Sequence, residues 1–367
     1  MESFLIDFAI STVMALVVTL NVLQLAGALG WMERKGSALI QDRIGANRAS
    51  VFGFAGAGLV NTLMADPLKF LTKEDIIPRG ADRFLHTLAP CIAVFPALVA
   101  FAVIPFGDVL MIGSREINLQ VAPLNIGILF VLAMVSLGVY GVVLGGWASN
   151  SRWALLGGIR GSAQMISYEL AMGLALVAMI MTYGTLDLQG MARAQGGTLL
   201  GFIPAWGIFF QPLAFLIFLV SGIAESKRVP FDLPESESEL IAGYFTEYSG
   251  MKHLMFFMTD FIEVIIVAGL ATTLFLGGWQ VPYLARDGFH FPGGATLLLP
   301  NLVIVILQII AFSVKVVFFC WLQIMIRWTL PRFRYDQLMR LGWMGLLPLG
   351  FLNAIVTAAV ILAWDSH

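Results

Sequence analysis

Eight long apolar runs, separated by polar segments, make up most of this chain. An α-helix needs about 20 predominantly apolar residues to cross the hydrocarbon core of a bilayer. The runs predict eight transmembrane helices, at about residues 8–30, 86–106, 124–147, 162–183, 205–224, 254–279, 297–326 and 344–364. We therefore expect an all-α integral membrane protein that forms a single polytopic membrane domain over residues 1–367.

Composition supports this class and excludes several kinds of site. Of the 367 residues, 59% are hydrophobic and 12% are charged, whereas a soluble domain carries about 25% charged residues. The net charge of −2 does not indicate nucleic-acid binding. The two cysteines, Cys91 and Cys320, form no CxxC pair, and the four histidines are scattered. We expect no metal site, no iron–sulfur cluster and no catalytic residues of its own in this chain.

Positive charge is distributed very unevenly between the two sides of the predicted bundle. The segments after the first, third, fifth and seventh spans hold 17 Lys and Arg residues, and the opposite side holds only Arg115, Arg193 and Arg286. Positively charged loops remain in the cytoplasm. The pattern therefore places loops 32–85, 148–161, 225–253 and 327–343 in the cytoplasm and both termini on the outer, periplasmic side.

The segment between the first two spans predicts an interfacial amphipathic helix. Val51–Ala65 is too short to cross the bilayer and too apolar for a free loop. The basic residues before it can be explained as charges that stop translocation. Because Arg43 and Arg48 lie well past the end of the first span, they also suit an anionic or protein partner on the cytoplasmic face.

The loop between the fifth and sixth spans is unusually acidic. It carries six carboxylates: Glu225, Asp232, Glu235, Glu237, Glu239 and Glu247. Asp232-Leu233-Pro234-Glu235 is typical of a helix start, with Asp232 as the N-cap, and a helix here would align Asp232, Glu235 and Glu239 on one face. Capping and dipole interactions explain Asp232 and Glu235. They do not require Glu237, Glu239 and Glu247.

Four ionisable residues lie inside predicted spans, where charge is costly and usually functional. They are Glu169, Asp260, Glu263 and Lys315. Asp260 and Glu263 are three residues apart and so share a helix face. One interpretation is a fixed lysine–carboxylate pair that joins helices, and the other is a buried proton relay. Gly141 and Gly145 form a GxxxG pair that predicts close helix packing.

Several longer motifs resemble the quinone-channel membrane subunit of respiratory complex I, the H-type subunit of bacterial NADH:quinone oxidoreductase. They are ERK at 33–35, QDRIG at 41–45, ADPLKFLTKED at 65–75, PFDLPE at 230–235, TEYSGMK at 246–252 and RWTLPRFRYDQLM at 327–339. The resemblance covers nearly the whole chain. This sequence departs from the family pattern at Ala46, Asn61 and Met344, and reads Glu225-Ser226-Lys227-Arg228 where ETNR is common.

The resemblance implies a role within a large inner-membrane complex. Such subunits form the membrane side of a quinone chamber, and partner subunits supply FMN and iron–sulfur clusters. It implies that the chamber and its coupling to proton translocation involve Arg34, Arg43, Arg48, Glu225, Arg228, Asp232, Glu235, Glu237, Glu239 and Glu247. Glu169, Asp260, Glu263 and Lys315 would form an intramembrane proton path. Quinone is then the substrate, and the chain alone is not active.

Three alternatives remain open from the sequence. A homologous membrane subunit could serve a hydrogenase or a ferredoxin-type quinone reductase, although the intact acidic loop favours quinone reduction. A stand-alone ion transporter would suit the buried charges, but no internal repeat is visible. A passive membrane anchor would leave the acidic loop unexplained.

Overall fold

The computed structural model describes residues 2–45, 58, 61–113, 115–199, 202–291 and 296–365. The described chain is mostly helical. Its helices are α1 (Glu2–Ile40), α2 (Asp66–Thr72), α3 (Arg83–Ala100), α4 (Gly127–Ala148), α5 (Arg152–Tyr183), α6 (Leu188–Ala194), α7 (Gly207–Phe210), α8 (Pro212–Glu225), α9 (Glu237–Leu240), α10 (Gly250–Phe275), α11 (Asn301–Thr329), α12 (Tyr335–Arg340) and α13 (Leu347–Asp365). Single turns of π-helix precede α2 and join α12 to α13.

Seven helical segments of the described chain are long and apolar enough to cross a membrane. They are Ile6–Ile40, Arg83–Val103, Gly127–Ala148, Arg152–Tyr183, Gly250–Phe275, Asn301–Thr329 and Tyr335–Trp364. Each contains most of one predicted span. The remaining predicted span, 205–224, is broken at Gln211 into α7 and the 14-residue α8. The break lies at Gln211 because the next residue is Pro212, and the residue before a proline is disfavoured in a helical conformation.

The first helix extends further than the hydropathy pattern predicts. We expected the first span to end near Gly30, but α1 continues to Ile40 and carries Glu33, Arg34 and Lys35 in its last turns. The continuation is possible because Glu33 and Arg34 form ion pairs with other elements, which offset their desolvation. Most of the predicted interfacial helix 51–65 lies outside the described residues.

Two distinct ends of the bundle are defined by contacts between loops. At the first, which we call the loop end, Asp82 N–H donates to Ala148 O at 3.1 Å and Phe333 N–H donates to Pro230 O at 3.2 Å. The first bond joins the segment after α2 to the end of α4, and the second joins the segments after α8 and α11. Ser249, in the loop after α8, also donates through its Oγ to Glu74 O at 2.9 Å and so connects the two pairs. The loop end therefore gathers all four segments that hold most of the positive charge in the sequence.

The opposite end, which we call the hairpin end, carries three antiparallel two-stranded hairpins. The strands are β1 (Val109–Ile112), β2 (Arg115–Asn118), β3 (Thr198–Leu199), β4 (Ile203–Pro204), β5 (Gly288–His290) and β6 (Thr296–Leu298), paired in chain order. Asp108 is buried there and accepts hydrogen bonds from Arg193 at 2.7 Å and Arg286 at 3.1 Å. These ion pairs tie the connections at this end to one another.

Helix α10 forms the centre of the bundle. Every residue from Thr259 to Phe275 is buried, so this helix is covered on all sides by protein. Helices α3 and α4 pack closely against each other, since a Cβ at Gly141 on α4 would lie only 2.8 Å from the backbone nitrogen of Ala93 on α3. Gly145 meets the ring of Phe256 in the same way, at 3.0 Å. The predicted GxxxG contact is therefore confirmed.

Candidate functional site

The acidic loop between α8 and α10 folds inward at the loop end. No helix starts at Asp232, contrary to the capping pattern; α9 begins at Glu237 and lasts one turn. The reason is that the Asp232 carboxylate is taken by Arg332, 2.6 Å away, and not by the backbone N–H groups of a first helical turn. The expected common face is therefore absent: Glu239 instead pairs with Arg160 at 2.6 Å.

Lys227 lies at the centre of a buried ion cluster. Its side chain is 1% exposed, and its Nζ lies 3.2 Å from Asp260 and 3.0 Å from Glu263. Burial opposes the charge of the ammonium group, but the carboxylates of Glu263 and Asp260 outweigh this effect and raise the pKa of Lys227. The cluster thus joins the start of the acidic loop directly to the central helix.

Glu235 extends the cluster into the loop. Its carboxyl group lies near that of Asp260 on α10. Burial raises the pKa of Glu235 well above its ordinary value, and the adjacent charge of Asp260 raises it further. Two neighbouring carboxyl groups repel each other when both are ionised, and this favours the protonated form of Glu235.

Arg228 connects the cluster to α1 and, through Glu33, to α11. Its Nη1 donates to Glu33 at 3.0 Å, and Glu33 also binds Arg327 at 2.7 Å. The guanidinium group of Arg228 lies over the Phe261 ring at 4.0 Å. Burial opposes its charge, but Glu33 and the surrounding acids raise the pKa of Arg228 further, so it remains a fixed cation. Glu33 therefore bridges two cations from separate elements.

A second group of acids lies deeper in the bundle. Glu225, at the end of α8, and Glu263 both line a small cavity of about 10 Å³, which has room for about one water molecule. Its other walls are apolar side chains of α4, α5 and α10. Glu169 on α5 accepts a hydrogen bond from Ser136 on α4. Glu263, Glu225 and Glu169 thus form an inward series from the Lys227 cluster.

Lys315 is not part of this cluster. Its Nζ donates to three backbone carbonyls, those of Leu276 at 2.8 Å, Gly278 at 3.0 Å and Gln280 at 2.7 Å. These carbonyls follow the end of α10, where backbone acceptors lack helical partners. The lysine–carboxylate pair considered from the sequence does exist, but its lysine is Lys227. Lys315 instead caps the central helix.

A separate cavity of about 90 Å³ lies between α1, α2 and α10 at the loop end. Apolar residues such as Ala26, Phe257 and Phe261 form its walls. Arg34 and Asp66, 2.7 Å apart, form a charged rim. The arrangement suits a ligand with an apolar body and a polar end.

The structure brings together six of the predicted loop and intramembrane residues and separates others. Glu225, Arg228, Asp232, Glu235, Asp260 and Glu263 lie in or beside the cluster. Glu239 is at its edge, whereas Glu247 is partly buried and makes no ion pair with described residues. Arg43 is exposed and donates to Gln41 at 2.7 Å. Arg48 and the side chain of Glu237 lie outside the described residues. In the described part of the chain, no group of three or more His, Cys, Asp or Glu residues is placed to hold a metal.

A comparison with known families decides the identity of this fold. A family model described as NADH dehydrogenase matches residues 12–358. The chain belongs to this family. It is a multi-pass membrane protein in which seven described helices are able to cross the bilayer.

Curated relatives of this NADH dehydrogenase family member match almost end to end. The chain is 49% identical to an H subunit of NADH-quinone oxidoreductase from Geobacter sulfurreducens, over 99% of each chain. It is 48% identical to an H subunit of NADH-quinone oxidoreductase from Geobacter metallireducens, over 97% of this chain and 98% of the relative. The corresponding H subunit of Thermomicrobium roseum is 45% identical over 94% of both. The resemblance noted in the motifs is therefore confirmed.

Sequence reasoning missed four charged residues that complete the site of this family member. They are Lys227, Glu33, Arg327 and Arg332. Glu33, Arg327 and Arg332 belong to the ERK and RWTLPRFRYDQLM motifs, and Lys227 stands where the family pattern differs. In the sequence, the three basic residues indicate only topology. The available signal was the excess of acids in the acidic loop, since buried carboxylates require nearby cations.

Proposed function

We propose that this chain is the H subunit of a proton-pumping NADH:quinone oxidoreductase in a bacterial inner membrane. The observation that carries this proposal is the near full-length similarity to bacterial proteins that bear this name. In this arrangement one membrane domain crosses the bilayer eight times, with α7 and α8 together forming the additional crossing. The loop end faces the cytoplasm and both termini face the periplasm, as the distribution of Lys and Arg predicts.

The cavity between α1, α2 and α10 is proposed as part of the quinone entrance. A quinone combines a long apolar tail with a small polar head. The apolar walls would accept the tail, and the rim formed by Arg34 and Asp66 would meet polar groups. Arg43 and Arg48 would then lie at the chamber mouth or at the contact with peripheral subunits.

The buried cluster is proposed to couple quinone reduction to proton movement. Reduction of a quinone consumes protons or creates negative charge, and both effects change the protonation of nearby buried carboxyl groups. A proton held between Glu235 and Asp260 would pass to Glu263, across the small cavity to Glu225, and on to Glu169. Asp232, Glu237, Glu239 and Glu247 would shape the field at the chamber side, and Lys315 would support the path by holding α10.

The electron-transfer groups are assigned to other subunits. FMN and iron–sulfur clusters require binding motifs that this sequence lacks, so partner subunits would deliver electrons from NADH to the quinone. This chain would contribute the membrane wall of the chamber and the first part of the proton path. It would therefore be active only in the assembled complex.

Purification of the tagged chain in mild detergent tests the function. We expect flavin-containing and iron–sulfur subunits to copurify, with NADH-driven quinone reduction that a quinone-site inhibitor blocks. Copurification with a nickel–iron hydrogenase would assign the chain to a different redox complex. Isolation of the chain alone, with ion transport activity, would support a transporter and refute the proposal.

Amide substitutions test the coupling. In the assembled complex, the double variant Glu235→Gln, Glu239→Gln should lose proton pumping, because an amide at position 235 cannot exchange a proton. Glu116→Gln, an exposed residue in β2, is the matched control. Full quinone reduction and full pumping in the double variant would show that the acidic loop is only structural.

A further inference from the structure

Lys227 is a buried cation for which neither the acidic loop nor helix packing gives a sufficient reason. It lies directly after α8, in a left-handed backbone conformation with φ of 53°. Such a conformation is unfavourable for a residue with a side chain. The backbone turns here in a way that carries the ammonium group inward to α10. The chain therefore accepts local strain and the desolvation of a lysine at one point.

The neighbouring segment holds this turn in place. Gln164 on α5 donates through its Nε2 to Ala224 O and Phe231 O, both at 2.7 Å, which fixes the backbone on either side of Lys227. Ser226 is buried and its Oγ donates to Ile223 O at 3.0 Å. The position of the ammonium group is thus defined by the backbone as well as by its two carboxylates.

The charges around Lys227 define the number of protons that the cluster can hold. The ammonium group is shared by Asp260 and Glu263, so this triad carries one net negative charge and becomes neutral when it binds one proton. Without the lysine, the same two carboxyl groups would need two protons to become neutral. The other titratable or charged groups around it are Glu225 and Arg228 on its own segment, Glu235 and Tyr244 in the loop, Glu169 on α5, Glu33 on α1 and Arg327 on α11.

We infer that Lys227 is a fixed internal counter-ion that limits the Asp260–Glu263 pair to one exchangeable proton and sets the pH at which that proton is bound. Lys227 is a positioning residue, since it acts through the two carboxylates and does not touch the substrate. The inference rests on the proposed function and adds a residue to its coupling path. An ammonium group about 3 Å from two carboxylates favours their ionised forms. Its loss makes both hold protons to a higher pH.

The test compares two variants in the purified complex. Lys227→Gln removes the charge and keeps a polar donor, whereas Lys227→Arg keeps the charge and is the matched control. NADH-driven quinone reduction is measured as a function of pH. We expect the alkaline limb of the profile to move upward by about one pH unit or more in K227Q, since an opposite charge within about 4–6 Å shifts a carboxyl group by 1–3 units. K227R should follow the wild-type profile.

An infrared measurement separates this inference from the proposed function. At neutral pH, the difference spectrum of K227Q minus the wild type should show an additional carbonyl band of a protonated carboxylic acid, whereas that of K227R minus the wild type should show none. This readout requires no NADH and no quinone, so it remains valid if the complex uses another electron donor. An unchanged pH profile together with an unchanged infrared spectrum in K227Q would overturn the inference.

A complex that fails to assemble with K227Q is addressed by a second variant. K227Q combined with Asp260→Asn removes one charge of each sign and restores the charge balance of the buried site. We expect this double variant to assemble and to retain an altered pH profile. A double variant that assembles with the wild-type profile, or that fails to assemble while K227R does assemble, would show that Lys227 is needed only for structure.

Discussion

Glu33 offers a direct test of the ion network at the loop end. Its two carboxylate oxygens bind different partners: Oε2 lies 3.0 Å from Arg228 and Oε1 lies 2.7 Å from Arg327. One side chain thereby joins α1, the acidic loop and α11. The substitution Glu33→Gln keeps the shape of the side chain and removes its charge, so both arginines lose their counter-ion together.

The expected loss follows from the burial of the two arginines. The side chain of Arg228 is 10% exposed, and removal of one partner of a buried ion pair typically costs about 3–5 kcal/mol. Arg327 is 25% exposed, so solvent screens its charge and its pair contributes at most about 1 kcal/mol. The amide oxygen that the substitution introduces still accepts one hydrogen bond. We therefore expect E33Q to lose about 3–4 kcal/mol of stability, of which most comes from Arg228.

Thermal unfolding with a thiol-reactive fluorogenic dye measures this loss. Cys320 is buried in α11 and becomes reactive only on unfolding, whereas Cys91 is exposed and is first replaced by serine. At about 2 °C per kcal/mol, E33Q should lower the melting temperature by roughly 6 °C or more. Glu116→Gln is the matched control, because it makes the same chemical change at an exposed position. Equal melting temperatures for E33Q and E116Q would refute the network as a source of stability.

Three further perturbations probe other parts of the molecule. Gly243→Ala should prevent assembly, because a Cβ there would lie 1.7 Å from Pro234 O and the backbone has φ of +59°. Gly173→Ala is the control and should assemble normally, since a Cβ at Gly173 meets open space. Blue native electrophoresis distinguishes the two, and normal assembly of G243A would contradict the loop geometry. Glu235→Gln should flatten the pH dependence of stability. The pKa of Glu235 is raised in the folded state. Its contribution to the free energy of unfolding is therefore full below the unfolded-state pKa of about 4.3 and is lost as pH rises through the folded-state pKa. Melting temperatures of the wild type and E235Q that run parallel from about pH 4 to about pH 9 would contradict this. Asp108→Asn should lower the free energy of unfolding by about 2 kcal/mol, because its hydrogen bonds to Arg193 and Arg286 become weaker. It should not move the pH profile of activity, and a displaced profile would show that the hairpin end takes part in coupling.

The sequence predicts the helices of this fold well and their ends less well. Apolar length alone locates the long helices, because a bilayer imposes a minimum span. It cannot show that α1 continues to Ile40, since the charges of Glu33 and Arg34 are neutralised by partners that only the tertiary structure provides. It also cannot show the break at Gln211, where hydropathy is continuous but Pro212 interrupts the helix.

The membership of the buried site is harder to predict than its location. The excess of acids marks the acidic loop, and ionisable residues inside spans mark α5 and α10. The ion pairs between these residues cannot be predicted in this way. Glu33 and Arg228 are 195 positions apart, and no local spacing relates them. Lys227 illustrates the same limit: its neighbours in the sequence suggest a loop residue that sets topology, whereas an unusual backbone angle directs its side chain into the interior.

The contacts of Lys227 and Lys315 have a mechanical consequence for the central helix. Lys227 grips α10 near its middle, through Asp260 and Glu263, and Lys315 grips the backbone just beyond its end. The two anchors come from different parts of the chain, so α10 is clamped against sliding along its axis as well as against rotation. We therefore expect α10 to keep its position relative to these two segments. If the proposed coupling is correct, we expect displacements during quinone reduction to involve the acidic loop and the helices around α10 and not α10 itself.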